Sequence, residues 1–119
     1  MSRGIQKSGN QRIKEFLLSI SDTIDRYCLA SGDLVPPKRL SSQYGGGSHT
    51  EVGLEFFKHL LDHAGLMRGS SVLDVGCGIG RIALPLTAYL GRDGRYEGFD
   101  IVRDGVEYCA RVFTPRFRN

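Results

Sequence analysis

Tryptophan is absent from this 119-residue chain, cysteine occurs three times, proline four times, and no apolar run is long. The longest runs, such as Phe16-Leu17-Leu18 and Phe56-Phe57, are broken by charge within a few residues, whereas a membrane span needs roughly 20 apolar residues. A membrane protein is not expected. Met1 to Asn10 are polar and lead into a charged helical pattern, without the apolar core and cleavage site of a secretory signal. A cytoplasmic location is the default expectation. Cys28, Cys77 and Cys109 are odd in number, far apart and without metal-ligand spacing, so reduced thiols are expected rather than a disulfide framework or a zinc site. No block of like charge is present either: 16 Lys plus Arg against 13 Asp plus Glu gives +3 with the signs interspersed, and no basic stripe marks a nucleic-acid partner. With 40% apolar and 24% charged residues, the composition is that of one globular domain at most.

Glycine is what the chain has in excess. Sixteen glycines are near twice the usual share of ~7%, and twelve of them fall between Gly45 and Gly98. Ahead of that region, Ile13, Phe16, Leu17, Ile20, Ile24, Tyr27 and Cys28 follow helical spacing, which predicts an amphipathic helix over 11–31. Gly32 suits its C-terminal cap, and Pro36-Pro37 forbids continuation. This helix is expected to pack against parts of the domain that lie outside the chain. Asp33 to about Gly47 reads as a linker, with Tyr44 and Gly45-Gly46-Gly47 as a flexible connector or, on the sharper reading, a lid beside a ligand.

Ser48 followed by Glu51 is a capping box ahead of Val52, Phe56, Phe57, Leu60, Leu61 and Ala64, which predicts a helix over 49–64. Ser71 to Val75 reads as a short buried strand between glycines. Arg81 to Leu90 returns to helical periodicity, with Pro85 kinking it or confined to its first turn. Arg95 to Val102 reads as a second strand, and Asp104 is expected to cap a last helix to about Phe113. Helix, strand, helix, strand, helix is a doubly wound α/β pattern with parallel strands. Two parallel strands make an incomplete sheet, since such sheets are buried on both faces and typically have about 5 to 6 strands. A fragment, a truncated product, or a protomer completed by self-association or by a missing C-terminal half is therefore expected.

Residues 72–80 read VLDVGCGIG, a strand running into three spaced glycines and then a helix. Glycine at 76, 78 and 80 lets the backbone turn sharply and approach a ligand closely, as no Cβ would permit. A cofactor pocket at a strand C-terminus follows. Asp100 ends the second strand, twenty residues past Gly80, where a carboxylate can accept the ribose hydroxyls of a nucleoside. The dinucleotide fingerprint would place its third glycine at 81, which here is Arg81. Asp74, two before the first glycine, would disfavour a pyrophosphate and suit a cationic ligand. That favours S-adenosylmethionine, with its sulfonium and α-ammonium, over NAD.

Val72 to Gly80 resembles the first motif of class I S-adenosylmethionine-dependent methyltransferases, and Glu97-Gly98-Phe99-Asp100-Ile101 is similar to their second, acidic motif. The resemblance covers about residues 44–119, the N-terminal part of that domain, with residues 1–43 as an amphipathic helix and linker. It implies an incomplete Rossmann-like fold with N-terminal helices, S-adenosyl-L-methionine as cofactor, and a methyl acceptor that is a small molecule or a glycan. It further implies that Asp74 and Gly76-Cys77-Gly78 contact the methionine moiety, Gly80 opens the following helix, Asp100 binds the ribose and Ile101 lies near the adenine. No catalytic residue carries over, because catalysis in this family rests mainly on alignment of the acceptor with the methyl group. A non-catalytic module keeping the cofactor scaffold is the alternative, and a nicotinamide-dependent half-domain a third reading.

The remaining features read blandly. His59 and His63 are four apart on a helix, but Leu60 stands where a metalloprotease motif requires glutamate, and no metal site is expected. Cys77 has no partner base and reads as a small loop residue. Arg111, Arg116 and Arg118 are expected to be solvated.

Overall fold

The computed structural model describes residues 8–31 and 34–118. In chain order these form α1 (Gly9–Ser31), a single turn of helix α2 (Lys38–Ser41), a 3-10 turn (Ser42–Tyr44), α3 (His49–His63), β1 (Ser71–Val75), α4 (Ala83–Tyr89), β2 (Arg95–Phe99) and α5 (Arg103–Val112). The expected cap Gly32, the linker's first residue Asp33 and the side chains of Tyr27 and Cys28 lie outside the described residues. No helix among those residues is long and apolar enough to cross a membrane.

β1 and β2 pair in parallel, in register from Ser71 opposite Arg95 to Val75 opposite Phe99. Strand alternation then sorts the side chains onto two faces. Val72 and Tyr96 join the hydrophobic cluster of Leu86, Leu90, Tyr108 and Val112. Asp74 lies on that covered face as well, while Leu73, Val75 and Phe99 remain 64%, 70% and 52% exposed on the other. The result is an α/β unit with one covered sheet face and one open face, compatible with an incomplete doubly wound fold.

Helix α1 packs inside the chain, against α3 and α4, rather than waiting for elements beyond it. The hydrophobic stripe finds aromatic partners: Phe16 meets the Tyr89 ring edge-on at 5.7 Å, and Phe57 meets the same ring at 5.3 Å. Ile20 and Ile24 are buried in the cluster that also holds Phe57 and Leu84. Part of the expected linker is ordered too. Leu34 is fully buried, and the Pro37 carbonyl starts α2 by accepting from the Leu40 and Ser41 amides.

Three element boundaries differ from the sequence reading for local reasons. Ser48 does cap α3, accepting from the Glu51 amide. Helix α4, however, starts at Ala83, because Arg81 and Ile82 are still completing the turn out of the glycine loop. Pro85 thus falls in the first turn, where its missing N–H has no intrahelical acceptor to lose. Strand β2 ends at Phe99, whose carbonyl accepts from the amides of Gly76 and Cys77 instead of continuing a ladder. Helix α5 begins at Arg103 with Val102 at its cap position, so Asp104 sits in the first turn and does not cap it.

Candidate functional site

The loop from Gly76 to Gly80 leaves the C-terminal end of β1 and is bound to the C-terminal end of β2. Gly76 and Cys77 donate to the Phe99 carbonyl at 2.8 and 3.1 Å. Gly78 donates to Asp100 Oδ2 at 2.8 Å, and Asp100 Oδ1 accepts from the Val102 amide at 2.8 Å. The Asp100 carboxylate therefore fastens the glycine loop to the entry of α5. The Val102 and Gly78 amides, in that order, hold its pKa below the ordinary carboxylate value.

Glycine is required here by conformation and by space. Gly76, Gly78 and Gly80 have φ of +83°, +54° and +79°, a region costly for other L-residues. A Cβ on Gly80 would stand 2.9 Å from the Phe113 ring and 3.1 Å from Cys109 Sγ. The two neighbouring helices also approach through glycines: a Cβ on Gly105 of α5 would be 2.5 Å from the Gly78 carbonyl oxygen, and one on Gly53 of α3 would be 2.2 Å from that of Arg81.

A cavity of about 220 Å³ opens beside this loop, lined on one side by Asp74, Gly76, Cys77, Gly78 and Asp100. Five of the residues singled out from sequence are thus brought together. Gly80 is not at the cavity; it is buried behind the loop against α5. Ile101 is 100% exposed and does not line the cavity. Asp74 is buried and accepts from the Tyr96 hydroxyl at 2.8 Å, and burial followed by this bond pushes the Tyr96 pKa up. Burial, then the charges of Asp74 and Asp100, raise the Cys77 thiol, so it is a poor nucleophile.

Of the other wall, the sequence singled out only Tyr44, with the triglycine segment, as a connector or lid. Val52 and Phe56 of α3 supply apolar surface, and Tyr44 and Arg81 supply polar groups. The Tyr44 ring lies over Gly78, where a Cβ would come within 3.0 Å of it. Its hydroxyl sits beside the Gly105 backbone; burial raises its pKa, and the Gly105 amide partly offsets that. Arg81 donates to the carbonyls of Gly45 at 2.9 Å and Gly46 at 3.4 Å, holding the triglycine segment against the loop. Tyr44 beside three glycines was the sequence signal for this wall; Arg81, standing where a dinucleotide fingerprint has glycine, was the signal read only for what it excludes.

A larger cavity, about 320 Å³, lies between α4, β2 and α5, but its walls are mainly apolar side chains such as Leu86, Leu90, Phe113 and Phe117. It contains no carboxylate, and its two thiols are protonated, that of Cys109 being pushed by burial up to about 12. The smaller cavity carries the chemistry because it combines two carboxylates with the glycine loop at the strand ends. His59 and His63 stack at 5.8 Å on α3, and no group of three or more metal-ligating side chains occurs among the described residues.

No protein-family profile matches the chain, and no solved structure matches it. Among curated proteins it is similar to aklanonic acid methyltransferase DauC of Streptomyces sp. strain C5, with 31% identity over 66% of this chain and 39% of the relative. The chain spans about two-fifths of that relative's length. A glycine loop and two acids at the C-terminal ends of parallel strands thus occur in a chain whose similarity is to a methyltransferase.

Proposed function

We propose that this chain forms the cofactor-binding part of an S-adenosylmethionine-dependent methyltransferase of class I, with a Rossmann-like sheet of which β1 and β2 are two strands. The observation that carries the reading is the placement of Asp74, the Gly76 to Gly78 backbone and Asp100 around one cavity at the strand ends. Such a position is where open α/β sheets bind ligands. The lining fits the cofactor: two carboxylates for cationic and hydroxyl groups, a loop with glycine at 76 and 78, and the Tyr44 ring. A pyrophosphate fits less well, because Asp74, two residues before the first glycine, would repel it.

Under this reading Asp100 holds the ribose hydroxyls. Each of its oxygens accepts one backbone amide and retains acceptor capacity, so the amides orient the carboxylate toward a ligand. Asp74, fixed by Tyr96, faces the ammonium end, and Gly76, Cys77 and Gly78 let the ligand approach the backbone. Gly80 contributes by setting the loop onto α5, and Ile101 is left exposed to cover the adenine. When bound, the cofactor supplies an electrophilic methyl group on a sulfonium. The protein's part is alignment of the acceptor with that methyl, a proximity effect. The relative is named for an organic acid, which favours a small-molecule acceptor over a glycan.

Titration calorimetry of S-adenosylhomocysteine into the chain, with NAD as the control, tests the reading. Saturable binding of S-adenosylhomocysteine and none of NAD is the expected result. Tighter binding of NAD, or no binding by folded protein, would overturn it.

A further inference from the structure

Cys77 lines both cavities, and in the larger one it is joined by Cys109 of α5. The two are far apart in sequence, yet the fold brings both thiols to one atom. Cys77 Sγ stands 4.0 Å and Cys109 Sγ 3.7 Å from the Gly78 carbonyl oxygen, to which each donates. Glycines make the room in which the sulfurs lie: a Cβ on Gly98 would come within 3.1 Å of Cys77 Sγ, and one on Gly80 within 3.1 Å of Cys109 Sγ. Both cysteines are free thiols, and the site described above uses neither sulfur. Sulfurs gathered at a single oxygen need a shift of a few ångströms to reach the ~2 Å of a disulfide. The loop can give that shift because Gly76 and Gly78 flank Cys77, and α5 already meets the loop closely at Gly105.

We propose that Cys77 and Cys109 are a thiol-oxidation site, closed by a small disulfide oxidant such as glutathione disulfide into an intrachain disulfide that clamps the glycine loop to α5 and so sets the affinity of the neighbouring cavity. In the first exchange one thiol gives its proton to solvent and attacks the oxidant, forming a mixed disulfide and expelling one glutathione thiolate. The second cysteine, likewise deprotonated, attacks the protein sulfur of that mixed disulfide, forming the Cys77–Cys109 bond and expelling the other thiolate. The expelled thiolates take up the released protons, so two electrons pass from the pair to the oxidant and two molecules of glutathione leave. Burial is the first cause holding both thiols protonated, that of Cys109 up to about 12, and the charges of Asp74 and Asp100 add to it. Exchange needs the thiolate, so the pair closes slowly and follows the standing thiol–disulfide balance rather than acting as a rapid catalyst. The larger cavity, about 320 Å³, gives the oxidant's sulfur its approach to both. Closure draws Cys77 toward α5, against its 3.1 Å bond to the Phe99 carbonyl, and shifts the backbone that borders the smaller cavity. The pairing stands independently of the cofactor reading; its effect on S-adenosylhomocysteine rests on that reading.

The test is a glutathione redox series on the wild-type chain, with free thiols then alkylated and the products read by intact mass and peptide mapping. As the oxidised fraction rises, the chain should lose two hydrogens and yield a peptide linking Cys77 to Cys109. Cys28→Ser should behave as wild type, whereas Cys77→Ser and Cys109→Ser should each give no such peptide. Glutathione adducts without the linked peptide, or linkage of either residue to Cys28, would overturn the pair from the wild-type chain alone, whatever the folding of the variants. Calorimetry then compares the two forms: S-adenosylhomocysteine should bind the reduced chain about 5- to 150-fold more tightly, the ordinary span of coupling between sites. Dithiothreitol should restore the reduced mass and the tighter binding together. Equal affinity of the oxidised and reduced chains would overturn control of the cavity and leave the disulfide as a clamp alone. Failure of the reduced, folded chain to bind S-adenosylhomocysteine removes the cofactor reading and that control together, and the linked peptide still decides the pair.

Discussion

His49 couples folding to pH. It is buried at the start of α3, and its pKa falls from 6.5 to about 4 through burial and then the nearby Arg81 charge. The folded state therefore favours the neutral ring, while the unfolded chain takes up a proton near 6.5. Stability from this residue is complete above pH 6.5, is lost as pH falls from 6.5 toward 4, and amounts to about 2 to 3 kcal/mol. Urea denaturation at pH 7 and pH 4.5 should show that loss in the wild type, and His49→Gln should lack this component of it. Asp100 gives a second expectation. Asp100→Asn keeps the size but loses the charge and one acceptor, so the bonds from Gly78 and Val102 cannot both be kept at full strength. Binding of S-adenosylhomocysteine should weaken by about 1 to 3 kcal/mol by calorimetry; unchanged affinity would remove Asp100 from the site. Asp74, Asp100 and the spaced glycines were legible in the sequence because their chemistry is local, set by a strand end and a turn. Tyr44 was legible only as part of a lid or connector, and Arg81 and His49 were not, because what places them is tertiary packing of α3 and the triglycine segment against the loop.

Among the helices, glycine contacts decide how close each comes to the loop. Helix propensity alone favours alanine over glycine by about 1 kcal/mol. Gly53→Ala and Gly105→Ala should nonetheless destabilise, by about 1 to 3 kcal/mol in thermal or urea melts, because the new Cβ would meet the carbonyl oxygen of Arg81 or of Gly78. Stabilisation by either substitution would show that the helices stand farther off. Helix α3, its Ser48 cap and β1 were readable to within a residue, since a capping box and a strand bounded by glycines act over short range. The end of β2 was not, because it is set by bonds reaching more than a dozen residues along the chain, such as that from Gly76 to Phe99, and the start of α4 was not, because the turn out of the glycine loop runs on through Ile82. For α1 the periodicity identified the apolar face but not its partner; the Phe57 and Tyr89 rings that receive Phe16 are specified by tertiary packing.

Across the whole molecule, one sheet face is covered and the other presents Leu73, Val75 and Phe99 to solvent. Parallel sheets are buried on both faces, and the methyltransferase relative is more than twice as long as this chain's share of it. Concentrated solutions of the chain should therefore self-associate through that face. Val75→Thr retains the β-branch and removes apolar surface; it should lower self-association seen by light scattering while changing stability by less than about 0.5 kcal/mol. A loss above about 1 kcal/mol would show that Val75 is already packed against a partner. The order of α/β elements was legible because each carries its own period, but the side on which the sheet is left bare follows from strand register, which no single element encodes.

The bonds from Gly76 and Cys77 to Phe99, and from Gly78 to Asp100, bear on time as well as shape. A loop three of whose amides are held by the end of β2 and by Asp100 just beyond it cannot settle before that strand arrives. During folding the glycine segment gains its order only after β1 and β2 have met, and in the native state its amides should exchange with solvent as slowly as those of the ladder.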